Sequence, residues 1–170
     1  MNYHTYNYHI LPECYADTLL VETLGFKNPN HQLGIGQVKN ALNKNFRNLM
    51  AVGIIDNDKK KPTDFTEFAL DVEIFGIQRR LKADTRHTLL VINPAFEDWI
   101  FENAGAVNVD PSKYGFRTRK QFRDNCKSAN ASENKQLKQF LNTLKQKKAP
   151  GFVQLEDWIF KGLGFVDCEF

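Results

Sequence analysis

The chain has 170 residues, 42% of them hydrophobic, 25% charged and 12% aromatic, which bounds it to one domain with at most a small appendage and excludes disorder throughout. No apolar run approaches the roughly 20 residues of a membrane-spanning helix, Met1–Tyr6 lacks the regions of a signal peptide, and Cys14, Cys126 and Cys168 make no C-x-x-C pair; a cytoplasmic, reducing setting with no membrane is expected. The net charge of +3 is uneven, because residues 111–148 hold eleven Lys/Arg against Asp124 and Glu133, a basic segment suited either to a polyanion or simply to solvent.

Asn7–Leu11 reads as a short strand that Pro12 stops, since proline cannot donate to a ladder. Ala16, Leu19, Leu20 and Leu24 fall at helical spacing, with Gly25 as the C-terminal cap. Phe26–Ile35 is loop, and Val38, Ala41, Leu42 and Phe46 give a second helical stripe. Leu49–Ile55 is a continuous apolar run of the kind buried parallel strands show, and it ends in Asp56–Pro62. A third helix is expected from Phe65 through Phe68, Ala69, Val72 and Phe75, with Asp64 and Glu67 spaced like a capping box. Ile77–Arg86 fits neither pattern.

Thr88–Ile92 is another buried strand, and Asn93-Pro94 opens a helix carrying Phe96, Trp99, Ile100 and Ala104, with Gly105 at its end. Val107–Ala131 is polar and basic and reads mainly as loop. Leu137, Phe140, Leu141 and Leu144 mark an amphipathic helix stopped by Pro150-Gly151, and a short helix spans Leu155–Phe160. The alternation of strands and helices predicts an α/β fold, a Rossmann-like parallel sheet flanked by helices. Glu97–Phe101 recurs as Glu156–Phe160, but the flanks differ and no structural repeat is expected.

Ligands of open α/β sheets bind outside the carboxyl ends of the strands. Glu13 follows the first strand, and Asp56 and Asp58 follow the second. If those strands are parallel neighbours, three carboxylates converge, and such a cluster calls for a hard cation; Mg²⁺, which keeps several waters, suits a phosphate substrate. Read alone, Asp56-Asn57-Asp58 is better taken as a turn sequence. The four histidines have no zinc spacing, and Leu33-Gly34-Ile35-Gly36 lacks the Lys-Ser/Thr of a phosphate loop.

Pro12-Glu13-Cys14-Tyr15-Ala16-Asp17 followed by Val52-Gly53-Ile54-Ile55-Asp56-Asn57-Asp58 resembles the Toprim domain of topoisomerases, bacterial-type primases and OLD-family nucleases. Ile92-Asn93-Pro94-Ala95-Phe96-Glu97-Asp98-Trp99 resembles the Asn-Pro-x-Phe-Glu-x-Trp of small stand-alone Toprim proteins of the RloB type, linked to restriction and phage defence. The resemblance covers roughly residues 7–104 and implies a Toprim-like α/β domain over 1–110, with 111–170 as a basic helical extension packed on it. It implies Glu13 as general acid/base or metal ligand, Asp56 and Asp58 as ligands of Mg²⁺ or Mn²⁺, and Glu97 as an accessory acid. Cys14 stands where the family usually has glycine.

The expected activity is divalent-metal-dependent phosphoryl transfer on nucleic acid, as a nuclease. At 170 residues there is no room for a topoisomerase's strand-passage domains, and no primase-type zinc module is visible. Lys59, Lys60, Arg117, Arg119, Lys120 and Arg123 are the expected nucleic-acid-binding residues. The alternative is a non-catalytic nucleic-acid-binding or ATPase-partner subunit, and the plainest reading is an α/β domain whose acidic turn holds no metal.

Overall fold

The computed structural model describes residues 3–57, 65–128 and 130–165. Three strands run parallel: β1 (Ile10–Pro12), β2 (Ala51–Asp56) and β5 (His87–Ile92). β3 (Phe68–Ile74) and β4 (Ile77–Lys82) form an antiparallel hairpin on the outer side of β5, giving a five-stranded mixed sheet of order β1-β2-β5-β4-β3. Ile10 pairs with Val52, and Gly53 with Leu89, so β2 lies at the centre of the parallel half.

Alternation along β2 divides its side chains between two cores. Val52 and Ile54 join Ile10, Leu90 and Ile92 beneath α1 (Tyr15–Leu24), α3 (Phe96–Ala106), α4 (Arg119–Cys126), α5 (Lys135–Gln146) and α6 (Pro150–Gly162). Ala51 and Ile55 join Leu11, Leu89 and Val91 beneath α2 (Ile35–Asn40) and the π-helical turn Ala41–Asn45 that continues it. Gly53 lets that second layer close in, because a Cβ there would stand 3.0 Å from Val38 and 3.1 Å from Leu89. The first core runs without a break from Ile10 to Leu163, so residues 111–165 share it with the preceding part of the chain. Among the described residues no helix is long and apolar enough to cross a membrane.

Several sequence expectations need correcting. The helix expected over Phe65–Phe75 is instead β3, and the unassigned stretch after Ile77 is β4. Phe68, Ala69, Val72 and Phe75 fit a helical stripe, yet Phe68, Leu70 and Ile74 also alternate with Ala69 and Glu73. A Phe75-Gly76 turn with positive φ at both residues then completes a hairpin. The sheet is therefore mixed rather than parallel. The first strand begins only at Ile10, after a 3₁₀ helix over Tyr3–His9. The basic stretch read as loop contains α4, whose Thr118 side chain caps Gln121 N–H at 3.1 Å and whose Phe122 and Cys126 are buried one turn apart. Pro150 opens α6 instead of ending a helix, as suits a first-turn proline. Asp58, Lys59, Lys60 and the capping residue Asp64 lie outside the described residues.

Candidate functional site

β1 and β2 end side by side. The Glu13 N–H continues their ladder by donating to Ile54 O at 3.0 Å, which sets Glu13 beside the last residues of β2. Asp56 closes β2 on the face of Val52 and Ile54, beneath α1 and α3. Glu13 and Asp56 thus line one cleft of about 260 Å³, together with Tyr15, Phe96, Glu97, Arg123, Cys126 and Lys127. The structure brings these two predicted carboxylates together at the carboxyl edge of the parallel strands.

A third carboxylate stands behind them. Asp17, in the first turn of α1, is only 1% exposed. Its Oδ2 accepts from Cys14 Sγ at 3.1 Å, and its Oδ1 is buried with no hydrogen-bond partner. Burial above all, with the charges of Asp56 and Glu13 adding, pushes its carboxyl well above the usual carboxylate range. Sequence reasoning places Asp17 within the motif but gives it no role. The available signal is its position: it is a further carboxylate four residues after Glu13, in the first turn of the following helix.

Glu97 lies in the first turn of α3, buried at 9% exposure, and accepts from Arg123 Nε of α4. One turn earlier on α4, Arg119 meets Asp98 at 2.7 Å and stacks over the Phe101 ring at 5.4 Å. Two of the expected nucleic-acid-binding arginines are therefore engaged with α3 in this state. Lys120 is exposed and pairs only loosely with Asp124 at 3.5 Å on its own helix, and the Arg117 backbone N–H donates to Gln121 Oε1 at 3.1 Å. Cys126 at the cleft wall has its pKa pushed up by burial first and then by Glu97 and Asp17, which favours the thiol over the thiolate.

The opposite face of the sheet carries a polar chain at the same edge. Asn57 N–H donates to Ile92 O at 2.7 Å, and its side chain donates to Asn93 Oδ1 at 2.6 Å. Asn93 in turn donates to Glu73 Oε1, and Gln78 to Glu73 Oε2, both at 2.9 Å. These bonds, from Asn93 first, hold the Glu73 carboxyl below its ordinary range. The Asn93–Pro94 bond is cis. Asn93 thus ties the end of β5 to both β2 and the hairpin, and keeps the floor of the cleft in register.

The donor set is all carboxylate oxygen at its centre, which in chemistry fits a hard cation. Among the described residues, however, no group of three or more His, Cys, Asp or Glu is arranged to hold a metal ion. Of the three ligands expected from the sequence, Glu13 and Asp56 are among the described residues. Comparison with family models, curated proteins and solved structures finds no match to this chain.

Proposed function

We propose that this chain is a divalent-metal-dependent phosphodiesterase acting on nucleic acid, a small Toprim-like nuclease of the kind linked to phage defence. The observation that carries the reading is the acidic cleft: Glu13 and Asp56 meet at adjacent parallel strand ends, with the buried Asp17 behind them. Clustered carboxylates repel, so a fold that retains them gains by binding a cation. Glu13, Asp56 and Asp58 would hold Mg²⁺ or Mn²⁺. When bound, the metal would neutralise phosphate charge and favour attack by water.

The remaining steps belong to the chain's own groups. Asp17, kept towards its neutral form, limits the negative charge facing an incoming phosphate. Glu13 would complete the metal site or take the proton of the attacking water. Arg123, held in the cleft wall by Glu97, presents the rest of its guanidinium for a phosphate oxygen, and Lys127 adds a second cation. Lys59, Lys60, Arg117, Arg119 and Lys120 would follow the backbone on either side.

The test is hydrolysis of labelled single- and double-stranded DNA and RNA with Mg²⁺, with Mn²⁺ and with chelator. Glu13→Gln and Asp56→Asn should each lower the metal-dependent rate by at least about a hundredfold while the variants stay folded. Equal rates in wild type and variants would refute the reading. Binding without hydrolysis under every metal would favour the non-catalytic or ATPase-partner alternative. That second reading draws on the engagement of Arg119 and Arg123 with α3.

A further inference from the structure

Tyr15 is the first residue of α1 and lines the acidic cleft beside Glu13, yet the residue is 40% exposed. One face of its ring is stacked on His31, with centroids 4.6 Å apart and planes 23° from parallel. Among the described residues no other ring lies against it. Tyr15 therefore offers aromatic surface at the mouth of the acidic cleft, where a second flat π-system can stack.

The backing is built rather than incidental. The loop that carries His31 is fastened along the outer edge of β1: Asn30 N–H donates to Ile10 O at 2.9 Å, Gln32 N–H to Pro12 O at 2.9 Å, and Gly34 N–H to Glu13 O at 3.1 Å. The same loop therefore positions both the His31 ring and the Glu13 backbone. The Thr18 hydroxyl lies 2.8 Å from Cys14 O and 2.6 Å from His31 Nδ1, which ties the imidazole to α1. His31 Nε2 is buried and without a partner. Burial lowers the His31 pKa, so the ring stays neutral at physiological pH and draws no phosphate of its own.

We propose that Tyr15, braced by His31, is a stacking platform for one nucleobase of a single-stranded or unpaired segment whose phosphate lies over the Glu13–Asp56 cleft. This rests on the nucleic-acid reading above and adds its substrate class: a strand with a base free to stack, in place of an intact duplex. Every base has a π-face, so such a platform grips without reading sequence.

The experiment is fluorescence anisotropy, with Ca²⁺ in place of Mg²⁺, of a labelled twelve-nucleotide single strand and of the same strand with every base removed, so that no change of register restores a base to the platform. Wild type should bind the abasic strand roughly tenfold more weakly. Tyr15→Phe should match wild type. Tyr15→Leu should bind the normal strand roughly tenfold more weakly and lose most of the preference for it. If Tyr15→Leu does not fold, the comparison of the two strands on wild type and Tyr15→Phe decides by itself. Equal binding of the two strands by wild type, a Tyr15→Leu variant that keeps the preference, or no binding of single strands at all would overturn the platform. Hydrolysis with Mn²⁺ is scored separately. Intact hydrolysis with no abasic effect removes only the platform, and an abasic effect without hydrolysis removes only the nuclease.

Discussion

Arg123 of α4 donates from Nε to the buried Glu97 carboxylate of α3, and both side chains line the acidic cleft. This bond, with the Arg119–Asp98 pair one turn away, fastens the basic helix to the edge of the candidate site. Arg119 and Arg123 therefore have a structural duty that Arg117 and Lys120 lack.

The four basic residues should separate into two pairs. Replacing Arg117 and Lys120 with Gln should leave the melting temperature within about 4 °C, since exposed charges contribute about 0–1 kcal/mol. It should flatten the salt dependence of nucleic-acid binding by roughly 0.7–0.9 units for each phosphate no longer neutralised. Arg123→Gln should destabilise the fold by about 1.5–3 kcal/mol, because it strips a charge-assisted partner from a buried carboxylate. Thermal melts and salt titrations on the same variants check both halves. Equal melting temperatures across all variants would deny the α3–α4 pairs any weight.

Asp17→Asn should raise the melting temperature of the metal-free protein by at least about 2 °C, the shift of about 1 kcal/mol or less for a chain this long. The sign follows from linkage. Below the ordinary carboxylate value near 3.8 both folded and unfolded states carry a protonated Asp17, and wild type and variant should melt alike. As pH rises above it, the unfolded state releases the proton and the folded state retains it, so wild type loses stability relative to the variant. Melting curves in chelator from pH 3 to 8 measure the gap. A gap that narrows with rising pH would contradict the raised pKa.

Mg²⁺ or Mn²⁺ should stabilise wild type, because the folded state alone assembles the carboxylates. At a hundredfold excess over Kd the gain is about 2.7 kcal/mol, or roughly 5–10 °C. Asp56→Asn should abolish most of that response and melt no lower than wild type in chelator. An equal metal response in both proteins would sink the cation site.

Gly151→Ala should destabilise by about 1–3 kcal/mol, since a Cβ there would stand 2.6 Å from Trp99 Cζ2 and 2.7 Å from both terminal atoms of Asn103. Gly105→Ala, in open space on α3, should instead stabilise by about 0.5–1 kcal/mol. Chemical denaturation of the pair tests whether α6 packs on α3 this closely.

The parallel half of the fold was readable because Leu49–Ile55 and Thr88–Ile92 are apolar on both faces, and only a strand covered on both sides needs that. β3 was misread because it is an edge strand with little buried beyond Phe68, so burial imposed no clean period, and its phenylalanines fell at helical intervals by accident. Glu13 and Asp56 were legible from their place after strands. Asp17 was not, because a carboxylate in a helix's first turn is ordinary on the surface and becomes unusual only when packing closes over it. The platform was invisible for a related reason: Tyr15 and His31 meet only because the 30–34 loop runs back along β1.

The strand pairing also bears on the order in which the molecule is made. β3 and β4 are joined by a tight turn and need no distant partner, so a hairpin of this kind can close within microseconds. β1 meets β2 across 42 positions and β2 meets β5 across 36, closures that raise contact order and slow the search. The β1–β2 closure must be complete before Glu13 and Asp56 become neighbours, and the β2–β5 closure before Phe96 and Glu97 of α3 can wall their cleft. A nascent or partly folded chain can thus hold its hairpin and helices and still have no cleft, which confines any activity of the acidic residues to the finished molecule.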